Sequence, residues 1–149
     1  MGRRGKCKPK PTIPGADDPR GMGFLIMQFV EWSRVKGYAE ATLESREKYL
    51  RYFAQWLDTR GITRPQEANR PMLERFQRYV FLYRKKDWMP LAMNSQLAHI
   101  LPVIAFYRWL TKSNYILANP AADLEIPRKI KSLPRAVLTA QEIEQVFRQ

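Results

Sequence analysis

Residues 40–59, EATLESREKYLRYFAQWLDT, decide the fold. Leu43, Leu50, Phe53, Ala54 and Leu57 recur at three- and four-residue spacing and fall on one face of a helix, flanked by Tyr49 and Trp56. The opposite face carries Ser45, Lys48, Tyr52 and Gln55. So rich an apolar stripe needs other helices to cover it, and Gly61 supplies the stop just beyond. Glu44 and Glu47 stand four residues before Lys48 and Arg51, the spacing of intrahelical ion pairs rather than of an acid–base couple.

The flanking sequence supplies the covering helices. Before it, Met22 to Lys36 places Leu25, Phe29 and Trp32 at helical spacing beside Ile26 and Val30, and Gly37 ends the run. After it, Ile62-Thr63-Arg64-Pro65 breaks the chain, and Asn69 is placed to cap a helix over Arg70 to Arg84 with Pro71 in its first turn. That helix has the stripe Leu73, Phe76, Val80 and Tyr83, adds Arg75, Arg78 and Arg84, and is closed by Lys85-Lys86-Asp87. A fourth helix is expected over Leu91 to Lys112, with Ile100, Val103, Phe106 or Tyr107, and Leu110 in the core and a kink at Pro102. Asn119-Pro120 then signals a turn. Apolar alternation of the strand type is missing throughout. The fold is expected to be all-α, a compact bundle of four main helices.

The ends read differently. Residues 1–21 are rich in Pro, Gly and Lys and bury too little to offset their ordering entropy, so a disordered basic tail is expected there. Residues 127–136, PRKIKSLPRA, read as a linker. Thr139-Ala140-Gln141-Glu142 then forms a capping box that opens a stripe at Ile143, Val146 and Phe147. The expected organisation is a tail over 1–21, a bundle over 22–127, and a linker with the first helix of a truncated further domain over 128–149.

Net charge is +12 and the pI is near 10.1, which makes a polyanion the natural partner. The excess is uneven. Residues 1–21 hold six Lys/Arg against two Asp, residues 61–89 seven against three acids, and residues 127–149 five against two. Residues 40–60 and 90–126 balance, at four against four and two against two. Cys7 is the sole cysteine and lies in the tail, so no disulfide framework exists, as in a reducing cytosol. The chain has no signal-peptide pattern and no apolar run of bilayer length, and a cytoplasmic protein without membrane contact is expected.

Parts for catalysis are wanting. His99 is the sole histidine, so neither an imidazole pair nor a Cys cluster is available for a metal. His99 reads more readily as a half-buried polar group than as a catalyst. Gly-rich phosphate loops and nucleophile elbows are missing as well. No cofactor, metal or small-molecule substrate is expected, and the chain itself is not expected to be an enzyme.

Several blocks together resemble a known family. Thr42-Leu43-Glu44-Ser45-Arg46, then Leu50, Phe53 and Trp56-Leu57, is similar to the second-helix pattern of the tyrosine recombinases, or phage integrases. Phe106-Tyr107-Arg108-Trp109-Leu110, Asn119-Pro120-Ala121, Leu124 and Ile126-Pro127 resemble the end of that family's N-terminal core-binding domain. Leu133-Pro134-Arg135, Val137-Leu138-Thr139 and Glu142 resemble the entry to its catalytic domain. The likeness spans about Phe24 to Val146. It implies a SAM-like orthogonal bundle, half of a clamp on a recombination site, with the second and fourth helices facing the DNA major groove. It also implies that the cleaving tyrosine and its Arg, Lys and His partners belong to a separate catalytic domain, so that the parent protein, and not this chain, cuts and rejoins DNA.

From this the expected contacts to double-stranded DNA are Thr42, Ser45, Arg46 and Lys48 on the second helix and Asn94, Ser95, Gln96 and His99 on the fourth. Arg128, Lys129 and Lys131 of the linker are expected to follow the backbone. Asn and Gln suit adenine edges, and Ser, Thr and the cations suit phosphate. Because both groove-facing helices are balanced in charge, phosphate positioning is expected to outweigh base reading. Further recombinase protomers on the same site are the other expected partners. A helical protein-interaction module, docking through Trp88 or Trp109 without DNA, is the competing expectation.

Overall fold

The computed structural model describes residues 13–126, and the structural statements below concern those residues. Four α-helices follow one another: α1 (Met22–Val35), α2 (Glu40–Asp58), α3 (Arg70–Leu82) and α4 (Met93–Lys112), with a 3-10 turn at Pro65–Glu67 before α3. The described chain is all-helical apart from one isolated bridge between Arg84 and Pro90.

The helix ends follow from the residues placed there. The Asn69 side chain accepts from the Met72 N–H at 3.0 Å, satisfying an otherwise orphan donor, and Pro71 follows where no donor is required. Helices α1 and α2 both end on a left-handed glycine. At the first, Tyr38 N–H donates to the Ser33 carbonyl (3.2 Å) and Gly37 N–H to that of Arg34 (3.0 Å). At the second, Ile62 N–H donates to the Leu57 carbonyl and Gly61 N–H to that of Asp58, both at 3.0 Å. Positive φ at Gly37 and Gly61 turns the chain back so that these bonds close. Asn114 takes the same role after α4 at φ 62°, sending the Tyr115 N–H to the Leu110 carbonyl.

Helix α2 lies at the centre, packed against α1 on one flank and α4 on the other. Leu43, Leu50, Phe53, Ala54 and Leu57, the stripe that opened the reading, are all buried, and Trp56 joins them. Phe53 meets Phe76 edge-to-face at 4.8 Å and Tyr107 at 6.3 Å, tying α2 to α3 and α4. Phe29 of α1 contacts Phe106 and Trp109 of α4 at 5.7 and 5.6 Å. Each such buried side chain stabilises by about 1.5–3 kcal/mol relative to exposure. Both Phe106 and Tyr107 are buried, so the two alternatives for that core position are both occupied. The expected pairing of Glu47 with Arg51 also forms and is itself largely buried.

Some expectations are corrected. Residues 13–21 do not belong to a disordered tail: Ile13 is part of the core, and Asp18 pairs with Arg64 at 2.8 Å. Gly23 N–H donates to the Pro14 carbonyl and Met22 N–H to that of Thr63, so one apolar side chain and a few backbone bonds suffice to dock a polar stretch. Composition averages miss such anchoring. Tyr83 does not complete the stripe of α3; it is the C-cap beyond Leu82, where the chain leaves the bundle, and it is exposed. Trp32 is likewise at the rim, stacked on Phe29 at 6.1 Å. Pro102 is buried within α4, as a proline inside a continuous helix. The expected linker and the capping box lie outside the described residues.

Candidate nucleic-acid interface

Helices α2 and α4 carry most of the residues expected to touch DNA, and their packing brings some of them together. Thr42, Ser45, Tyr49 and Tyr52 follow one another along one face of α2, with Lys48 beside them. On α4, Ser95 and His99 are one turn apart and reach the same place. His99 meets Tyr49 edge-on at 4.6 Å and Tyr52 at 6.1 Å. Burial, and then the charge of Lys48, holds the His99 imidazole below its ordinary value, so it is neutral at pH 7.

Lys48, Tyr49, Tyr52, Ser95 and His99 form one wall of a groove of about 800 Å³ between α2, α3 and the start of α4. Its cations are Lys48, Arg60, Lys85 and Lys86, and no carboxylate lines it. Its rings include Trp56, Tyr79 and Tyr83 as well as Tyr49 and Tyr52. The Arg60 guanidinium lies 3.8 Å from the centre of the Trp56 ring, and Lys85 is 3.7 Å from Asp87 in an exposed pair. A second groove of about 870 Å³, lined by Gln77, Phe81, Gln96 and Ile126 among others, holds Glu74 and Glu125 against Arg78 alone. The first groove thus carries four cations and no carboxylate, and the second two carboxylates and one cation, with Glu74 also paired to Arg70 at 3.1 Å.

The remaining expected residues are placed differently. Thr42, Ser45 and Asn94 are exposed but do not line the groove. Arg46 stacks over Tyr38 at 4.4 Å and approaches Phe29 at 5.8 Å, clamping α1 against α2. Gln96, expected to face DNA, is 7 % exposed, and its Nε2 donates to the Leu91 carbonyl at 3.0 Å at the entry to α4. Arg128, Lys129 and Lys131 lie outside the described residues.

Arg60, Tyr79, Tyr83, Lys85 and Lys86 also line the groove and were not among the contacts expected from the sequence. The turn between α3 and α4 brings the two lysines back over the groove: Lys85 N–H donates to the Met89 carbonyl at 3.0 Å and Trp88 N–H to that of Lys85 at 2.9 Å. Trp88 closes this turn in a left-handed conformation at φ 62°, a place where Gly or Asn is usual, and is 83 % exposed. The Lys85-Lys86 doublet was the one available signal, and nothing local gave its direction.

Among the described residues there is no group of three His, Cys, Asp or Glu that suits a metal, and no helix is long and apolar enough to cross a membrane. No family model and no solved structure matches the chain. Curated relatives do match. The chain is 41 % identical over 113 residues to Tyrosine recombinase XerC 2 of Ralstonia nicotianae, covering 76 % of this chain and 33 % of that protein. It is 28 % identical over 128 residues to Tyrosine recombinase XerD of Listeria innocua, and 24 % over 128 residues to Tyrosine recombinase XerD of Listeria monocytogenes. Each XerD match covers 85 % of this chain and 41 % of the relative. The chain thus spans between a third and two fifths of the length of these relatives. Its helical bundle and the order of its motifs agree with that identity, and over the stretch they share this chain belongs to the tyrosine recombinase family.

Proposed function

We propose that this chain grips duplex DNA as the core-binding part of a site-specific tyrosine recombinase, clamping the double helix during recombination or integration. The observation that carries the reading is the groove of Lys48, Arg60, Lys85 and Lys86, which contains no carboxylate and adjoins the outer face of α2. Lysine and arginine on such a surface displace the cations condensed on DNA phosphates, which favours binding whatever the sequence. Base reading is secondary in this reading, since Gln96 is engaged within the fold and Arg46 is stacked on Tyr38 of the turn after α1.

Cleavage and rejoining belong in this reading to a part of the protein outside the stretch shared here, carried with further protomers on the same site. The place of action is the cytoplasm. Affinity for a duplex carrying the recombination site should fall steeply with salt, by a slope of about 0.9 per phosphate contacted. Lys48→Glu with Arg60→Glu and Lys86→Glu should abolish binding, while Glu74→Gln in the other groove should not weaken it. Salt-independent affinity, or indifference to the triple reversal, would overturn the assignment.

A second reading has its own support. Trp88 is a largely exposed aromatic on a strained turn, which suits docking to a protein partner. Sedimentation with and without DNA separates the two: association of the free chain that Trp88→Ala abolishes, without any affinity for DNA, supports a protein-interaction module.

A further inference from the structure

Double-stranded DNA offers a protein its phosphates and the edges of its bases, while the faces of the bases are stacked on one another. The groove holds more ring surface than such a ligand uses. Tyr52 is 41 % exposed, and Tyr79 and Tyr83 are each 46 % exposed, whereas the rings that serve the core, Phe53, Phe76 and Tyr107, are buried. The rings along the groove form two banks, in which Trp56 is buried and the tyrosines stand further out. Tyr49, Tyr52 and His99 stand on the α2–α4 side, and Trp56, Tyr79 and Tyr83 run along the α2–α3 side. Tyr79 lies 6.1 Å from Trp56 and 6.2 Å from Tyr83, so that bank is continuous from wall to rim. Lys48, Arg60, Lys85 and Lys86 line the same groove.

Aromatic faces interleaved with cations, free of carboxylates, are the chemistry that captures unpaired nucleotides: each base has a ring face to stack, and each phosphate meets a cation. We infer that the groove binds single-stranded DNA, with bases stacked on Tyr52, Tyr79 and Tyr83 and the backbone held by Lys48, Arg60 and Lys86. The inference rests on the reading of this groove as the DNA face and deepens it: the ligand there is a frayed or unpaired stretch rather than paired DNA alone. The tyrosines are the specificity-determining residues for that form, because the cations serve paired and unpaired strands alike.

The test uses the full chain, a labelled oligothymidylate of about ten nucleotides, within the usual footprint of such sites, and a closed hairpin duplex without free ends. Anisotropy gives both affinities, and quenching of intrinsic tyrosine and tryptophan fluorescence reports stacking. Tyr79→Leu with Tyr83→Leu removes the rings and keeps apolar bulk; Tyr79→Phe with Tyr83→Phe keeps the rings. Expected are quenching by oligothymidylate, a loss of affinity for it of about tenfold or more in the leucine variant, retention in the phenylalanine variant, and duplex affinity within about twofold throughout. Should the leucine variant unfold, the phenylalanine variant and the quenching of the unaltered chain still decide. Duplex binding without oligothymidylate binding or quenching overturns this inference alone, as does an equal loss for both ligands. Binding to neither DNA overturns the proposed function with it.

Discussion

The hydroxyl of Tyr107 donates to the carbonyl of Pro65 at 3.0 Å, joining α4 to the turn that precedes α3. Tyr107 is fully buried, and that burial keeps its phenol protonated far above the ordinary range. The bond therefore persists at any pH at which the protein folds. It holds the turn before α3, the helix that carries Tyr79 and ends at Tyr83. Pro65 also accepts from the Ala68 N–H, so Tyr107→Phe leaves that carbonyl one partner. A loss of about 1 kcal/mol is expected, seen as a lower midpoint in urea with an unchanged slope.

Ser33 is fully buried on α1, and its Oγ has no hydrogen-bond partner. Ser33→Ala removes an unsatisfied hydroxyl without opening a large void. The variant should be more stable by about 1 kcal/mol, and thermal unfolding should move up by several degrees.

Gln96 and Asn94 separate a structural role from a binding one. Gln96→Ala loses the bond to the Leu91 carbonyl and should cost about 1 kcal/mol of stability, with duplex affinity of the folded chain unchanged. Asn94 is exposed and makes no bond of this kind, so Asn94→Ala should leave stability within about 0.5 kcal/mol. A fall in duplex affinity for Asn94→Ala alone would place it against DNA.

Gly23 is packed under the docked N-terminal stretch: a Cβ built there lies 2.6 Å from Ile13 Cγ2 and 2.8 Å from the Pro14 carbonyl oxygen. Gly23→Ala should push residues 13–16 off α1 at a cost of about 1–3 kcal/mol, measured by denaturant unfolding. An unaffected midpoint would mean that this stretch contributes nothing to the fold.

His99 carries a pH dependence whose sign is fixed by its burial. Its folded value lies below the ordinary 6.5, so between the two the unfolded chain holds more protons. Stability from this group is full above about 6.5 and is lost as pH falls through that window. Lys48, Tyr49 and Tyr52 are the groups that face it, and none of them gains a favourable charge on acidification. A phosphate in the groove reverses the preference, so duplex binding should take up a proton below pH 6.5 and strengthen there. His99→Gln should flatten both profiles in parallel unfolding and binding titrations.

The sequence by itself determined the four helices, their stops at Gly37 and Gly61, the cap at Asn69 and the buried stripe of α2. Each of these rests on local spacing or on a backbone conformation that few residues adopt, so neighbours in the chain suffice to specify it. The family was legible for a related reason, in the order of short blocks along α2, α4 and the Asn-Pro turn. The site was legible only in part. Lys48, Ser95 and His99 were named and do line the groove, but Gln96 was misplaced because a helical wheel does not show that its amide bonds back to Leu91. Arg60 stands just past the end of α2 itself, whereas Tyr79, Tyr83, Lys85 and Lys86 come from α3 and the turn after it, and only the packing of α2 against α3 and the reversal at Trp88 bring them beside Lys48. Charge balance along the chain made α2 and α4 look neutral. That balance along the chain stands, but the tertiary structure alone decides which charges share a groove: Lys48, Arg60, Lys85 and Lys86 line one, while Glu74 and Glu125 line the other with Arg78, because grooves are built from segments distant in sequence.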